Sequence, residues 1–112
     1  MALGVKLLYT SGEVRSAIQE LFSFSQGRRV AISAFVGEGA GAFLPYPKGI
    51  ELICWPQPGG TNPTGVRALM TSGVQVKFAD RLHMKVYWAE GKGAVVTSAN
   101  LSTNALGAGN LR

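Results

Sequence analysis

Residues 82–100, LHMKVYWAEGKGAVVTSAN, decide how this chain is read. Two apolar stretches, Met84 to Ala89 and Ala94 to Ser98, are separated by Glu90-Gly91-Lys92-Gly93, four residues with strong turn chemistry. They read as two antiparallel strands of one hairpin. Strand side chains alternate between faces, so His83, Lys85 and Tyr87 point one way and Met84, Val86 and Trp88 the other. The same rule places Ser98 and Asn100 together if the second strand runs that far. An imidazole, an ammonium, a hydroxyl and a carboxamide can therefore converge on one patch, and no other part of the sequence gathers polar groups in this way.

Outward from the hairpin, the pattern alternates helix and strand. Thr10 and Glu13 have capping-box spacing, and Val14, Ala17, Ile18, Leu21 and Phe22 form one helical stripe, with Gly27 suited to the closing turn. Val30 to Val36 is apolar almost throughout, which predicts a strand covered on both faces. Ile50 to Cys54 reads as a second strand, Pro63 to Met70 as a helix closed by Ser72-Gly73, and Val74 to Phe78 as a third strand. The resulting order is helix, strand, loop, strand, helix, strand and hairpin. It predicts a layered α/β domain with a mixed β-sheet flanked by helices. Neither an internal repeat nor a linker interrupts it, and residues 1–112 are expected to form a single domain.

Composition narrows the function classes. The 112 residues are 46% hydrophobic and 15% charged, which fits a cored domain and not a disordered chain. Eleven Lys and Arg against six Asp and Glu give a net charge of +5, a balance that suits an anionic partner and equally a merely soluble basic domain. The single cysteine, Cys54, lies in the apolar run IELIC and reads as a buried thiol in a reducing compartment. The N-terminal apolar patch is too short for a signal-peptide core, and no run approaches the roughly 18 apolar residues that span a bilayer. A cytoplasmic protein without membrane association is the expectation.

Two loops carry weaker signals. VGEGAGAF (36–43) has glycines at 37, 39 and 41, which complete neither G-x-G-x-x-G nor G-x-x-x-x-G-K-[ST], and it reads as a plain flexible turn. PQPGGTNPTG (56–65) is turn chemistry with room for a role at the mouth of a site. Trp55 and Trp88 read as core or interface aromatics in preference to base-stacking platforms.

The polar patch suits attack on a phosphodiester. Lys85 supplies a compact positive charge and Asn100 amide donors for non-bridging oxygens, while neutral His83 can attack phosphorus and hold it as a phosphohistidine. One His, one Cys and one Asp are too few for a typical transition-metal or two-metal site, so neither a metal nor another cofactor is expected. No serine has the setting of a nucleophile elbow. An isolated histidine at a strand start is ordinarily a hydrogen-bonded structural residue. Lysine at +2 and Ser-x-Asn downstream turn the reading toward chemistry.

His83-Met84-Lys85, four intervening residues, Glu90, and then Thr97-Ser98-Ala99-Asn100 resemble the phospholipase D superfamily motif, H-x-K-x4-D followed by G-S-x-N. The upstream elements agree with that family's α/β fold, and residues 82–106 carry the signature. The resemblance implies that His83 is a nucleophile or general acid, that Lys85 and Asn100 bind phosphate, and that Ser98 and Glu90 support the site. Glu90 stands where the family has Asp, keeping the charge on a longer arm, and Thr97 stands where it has Gly. The family commonly continues past the point matching Arg112 into an acidic residue and another strand, so a C-terminally truncated domain is the expectation.

The family spans phospholipases, phosphatidyltransferases, nucleases and DNA-end repair enzymes, and motif and fold do not separate them. Small size, a single motif and basic charge favour a nuclease: a metal-independent phosphodiesterase acting on nucleic acid, with DNA the expected form. Because the family uses two histidines and this chain has one, a homodimer with a composite site is expected. A phospholipid-directed phosphodiesterase and a non-catalytic nucleic-acid-binding or dimerisation module stand as alternatives.

Overall fold

The computed structural model describes residues 10–23, 27–58, 60–83 and 85–97. Helix α1 (Ser11–Leu21) begins where the capping box placed it. The Thr10 hydroxyl accepts from the Glu13 N–H at 3.1 Å, and the Glu13 carboxylate accepts from the Thr10 N–H at 2.9 Å. Val14, Ile18 and Phe22 are buried along its inner stripe. The helix closes at Phe22, earlier than Gly27 would have closed it. Gly27 instead has φ 81° at the entry to the first strand, a conformation that L side chains rarely adopt.

Five strands follow: β1 (Arg29–Ser33), β2 (Ile50–Cys54), β3 (Gln75–Phe78), β4 (Lys85–Ala89) and β5 (Gly93–Val96). Helix α2 (Pro63–Thr71) links β2 to β3, started by Asn62, whose side-chain oxygen accepts from the N–H groups of Thr64 and Gly65. The sheet order is β3-β2-β1-β4-β5. β1, β2 and β3 run parallel, and β4 and β5 run antiparallel to their neighbours. This is the mixed α/β sheet the element order implied.

Burial on β1 and β2 alternates strictly, which corrects the expectation that the first strand is covered on both faces. β1 ends at Ser33 and buries Arg29, Ala31 and Ser33 on the face it shares with Ile50, Leu52, Cys54, Tyr87 and Ala89. Side chains from α1 and α2 join that same core cluster, so among the described residues the helices cover one face. Val30, Ile32, Ile53, Val86 and Trp88 on the second face are only half-buried. Hydrophobicity alone did not distinguish the two faces, because both carry apolar residues. The glycine-rich loop is also more structured than a flexible turn: Ala40–Phe43 forms a short 3-10 helix whose Ala40 and Phe43 are core residues. Gly65 permits the closest approach between this loop and α2, since a Cβ there would collide with the backbone at Gly37.

The largest fully buried side chain among the described residues is Arg29. Its guanidinium donates to the carbonyls of Phe22 (3.1 Å), Pro45 (3.2 Å) and Lys48 (2.9 Å). Phe22 is the C-cap of α1, so the cation also meets the negative end of the helix. Burial lowers the Arg29 pKa, and Arg nonetheless stays charged because its ordinary value lies so far above neutral. Arg29→Met should lower unfolding free energy by about 2–4 kcal/mol, because three carbonyls lose a charged donor. Arg29→Lys should recover only part, since one ammonium cannot span the fork. Urea midpoints of the three proteins check this, and an unchanged midpoint for Arg29→Met would remove the tether from the account.

Burial pushes the Cys54 thiol up to about 11 and the Tyr87 phenol up to about 12, the latter opposed by a hydrogen bond with Ser33. Both folded values lie above the ordinary 9.0 and 10.0, so both groups favour the folded state fully below about pH 9. That contribution is lost as pH rises toward 11 and 12. Urea midpoints should therefore fall steeply from pH 9 upward, and Cys54→Ala should flatten the fall between pH 9 and 11.

Candidate functional site

The C-terminal ends of β1, β2 and β3 lie at one edge of the sheet, and antiparallel β4 begins at that edge. Sites in open α/β sheets gather outside the carboxyl ends of parallel strands, where chains leave the sheet and expose side chains without breaking the ladder. Here the segment after β1 carries Phe35, the segment after β2 carries Trp55, and the segment before β4 carries His83. The connection from β3 turns back through Asp80 and Arg81, the latter with φ 56°. Ala79 keeps it tied to β2 through a 2.9 Å bond from its N–H to the Cys54 carbonyl.

His83 is exposed, and its ring meets Trp55 edge-on with centroids 5.7 Å apart and planes at 86°. Trp55 in turn stacks on Phe35 at 6.0 Å and 20°. Both aromatics are half-buried. The Trp55 backbone is held from two sides, donating its N–H to the Ala34 carbonyl at 3.1 Å and accepting from the Thr61 hydroxyl at 2.6 Å. The exposed imidazole thus rests against a ring whose backbone is held from two sides. Lys85, half-buried, opens β4 with its ammonium 3.4 Å from the His83 carbonyl, so cation and imidazole share the same sheet edge.

Ser98 and Asn100 lie outside the described residues. The chain reaches them from Thr97, whose N–H donates to the Lys85 carbonyl at 3.0 Å. The hairpin register, with Val96 opposite Val86 and Gly93 opposite Ala89, thus returns the chain to the Lys85 end of β4.

Glu90 is placed elsewhere. It follows β4, five residues and about 17 Å of strand from Lys85, where its carboxylate accepts from the Arg28 N–H at 3.0 Å. Its own N–H donates to the Arg28 carbonyl at 2.8 Å. Arg28 extends this cluster by an ion pair with Glu51 at 3.1 Å and by lying over the Trp88 ring at 6.0 Å. The Glu51 neighbour raises the Arg28 pKa and Arg28 lowers that of Glu51, so both stay charged. Tyr87, on the His83 side of the alternation, is fully buried edge-on against Phe22. Burial raises its pKa to about 12 and that of the Cys54 thiol to about 11, so both groups stay protonated at neutral pH.

The sequence reading missed the Phe35–Trp55 stack as part of this edge. The available signal was position: Trp55 directly follows the run Ile50 to Cys54, and Phe35 lies near the end of the run Val30 to Val36, both of which read as strands. Among the described residues, no group of three or more His, Cys, Asp or Glu side chains could hold a metal ion. No described helix is long and apolar enough to cross a membrane. Comparison of the chain with protein-family models and with curated proteins finds no match.

Because Glu90 anchors the turn far from His83, Glu90→Gln should lower stability by about 1 kcal/mol through a weakened charged hydrogen bond. Turnover per folded molecule should change less than about twofold, well short of what loss of a catalytic group costs. A thermal melt paired with an active-site-normalised rate checks this. A large rate loss at unchanged stability would bring Glu90 into the chemistry.

Proposed function

We propose that the protein is a metal-independent phosphodiesterase of the phospholipase D type, acting as a nuclease on DNA. The observation that supports this reading is the exposed His83, with the Lys85 ammonium at its backbone carbonyl, at the carboxyl edge of the parallel strands. The basic balance of the chain, +5, suits a polyanionic substrate.

In this reading His83 attacks phosphorus, forming an N–P bond as the P–O bond to the leaving group breaks. Lys85 and Asn100 hold the non-bridging oxygens, where charge develops, and Ser98 supports them. The leaving oxygen takes its proton from a second imidazole on the opposite face, which is His83 of a second copy related by a two-fold axis. Water then attacks phosphorus, the N–P bond breaks, and the second imidazole receives the water's proton. Each histidine ends as it began.

A single mixing experiment tests both the chemistry and the composite site. DNA hydrolysis is followed in excess chelator while His83→Ala protein replaces wild type at constant total concentration, under conditions where subunits exchange. Activity should persist in chelator and fall as the square of the wild-type fraction. A linear fall would mean that each chain holds a complete site, and loss in chelator with recovery on adding magnesium would overturn the phosphohistidine route.

A further inference from the structure

The same edge of the sheet opens into a pocket of about 250 Å³ lined by Pro56, Thr61, Pro63, Val66, Arg67 and Phe78. Phe78 ends β3 and pairs with Cys54, while Pro56 and Thr61 of the lining adjoin Trp55, the first along the chain and the second through its hydroxyl, so the pocket borders the segment that carries Trp55. Phe78 is 55% exposed, far more than a packing phenylalanine requires. Arg67 is exposed and makes no ion pair among the described residues. The prolines and the Thr61–Trp55 bond hold the opposite wall in place. The volume is below that of pockets that enclose drug-sized ligands, and an apolar cleft of this size suits one planar group.

We infer that this pocket receives a nucleobase of a single-stranded substrate, with Phe78 as its stacking wall and Arg67 engaging the base face or the adjoining phosphate. His83 meets Trp55, and Trp55 adjoins the pocket lining through Pro56, its chain neighbour, and through the Thr61 hydroxyl, so a strand with a phosphate at His83 passes a neighbouring nucleotide toward Phe78. Bases in a duplex are stacked on each other and unavailable to such a wall, whereas an unpaired base offers a free face. The site therefore prefers unpaired strands or strand ends. It takes the nature of its ligand from the nuclease reading, but it makes a separate claim about binding.

The test compares binding of an oligothymidylate with that of an abasic deoxyribose-phosphate oligomer of the same length, at one low salt concentration, by fluorescence anisotropy. Both probes carry the same phosphates, so only the base contributes to the difference. The wild-type protein should bind the thymidylate at least about tenfold more tightly. Phe78→Ala should weaken thymidylate binding about ten- to a hundredfold and leave the abasic oligomer unchanged, while Phe78→Trp should retain the preference. Equal affinity of the wild type for the two oligomers, or an equal loss on both with Phe78→Ala, would overturn the base pocket. Base-dependent binding by a protein that cleaves nothing would leave the pocket standing and remove the nuclease reading. Cleavage with base-independent binding would do the reverse.

Discussion

The buried guanidinium of Arg29 is the constraint on which the layout of the domain depends. A cation taken out of water must be given polar partners, and among the described residues no carboxylate accompanies it in the core. Three carbonyls from two separate segments supply them: Phe22 at the end of α1, and Pro45 and Lys48 in the connection to β2. One side chain on β1 thus holds the helix end, the loop and the central strand together. The neighbouring Gly49, at φ 92°, turns the chain beside the guanidinium and leads directly into β2. Loss of this centre would free both covering elements at once.

From that anchor the functional edge follows by ladder geometry. β1 is central, paired in parallel with β2 and antiparallel with β4. β1 and its parallel neighbour β2 therefore deliver Phe35 and Trp55 to the same edge at which His83 leads into β4 at Lys85. The opposite edge is occupied by the Arg28–Glu51–Glu90 cluster, whose charges hold the β4–β5 turn against the start of β1. The two ends of one strand thus carry different groups, the Lys85 ammonium and the nearby His83 at one end and the Glu90 anchor at the other. A sequence motif that spans both ends looks continuous only because the strand between them is short.

The hairpin, both helices and all five strands were legible in the sequence, for local reasons. Thr10 and Glu13 satisfy each other's backbone, Asn62-Pro63 presets a helix start, and Glu90 to Gly93 cannot continue a strand. Local hydrogen bonding and φ preferences act over a few residues, and the sequence states those residues outright. The same holds for the proximity of His83 to Lys85, two positions apart where the chain enters β4.

What the sequence left undecided depended on partners distant along the chain. The alternation of burial on β1 followed from which face received α1 and α2, and Val30 is as apolar as Ala31. Nothing local to Arg29 marks it as a core residue, because its three carbonyl partners, the farthest of them at Lys48, come from distant segments. Glu90 reads as part of the site until strand length carries it to the other end of the sheet. Trp55 became a neighbour of His83 only through strand order, which places β4 within reach of the segment that follows β2. Residue type and spacing determined the elements and the chemical repertoire, whereas the long-range ladder decided which of those groups meet, because contact between remote residues is set by packing and register and not by separation along the chain.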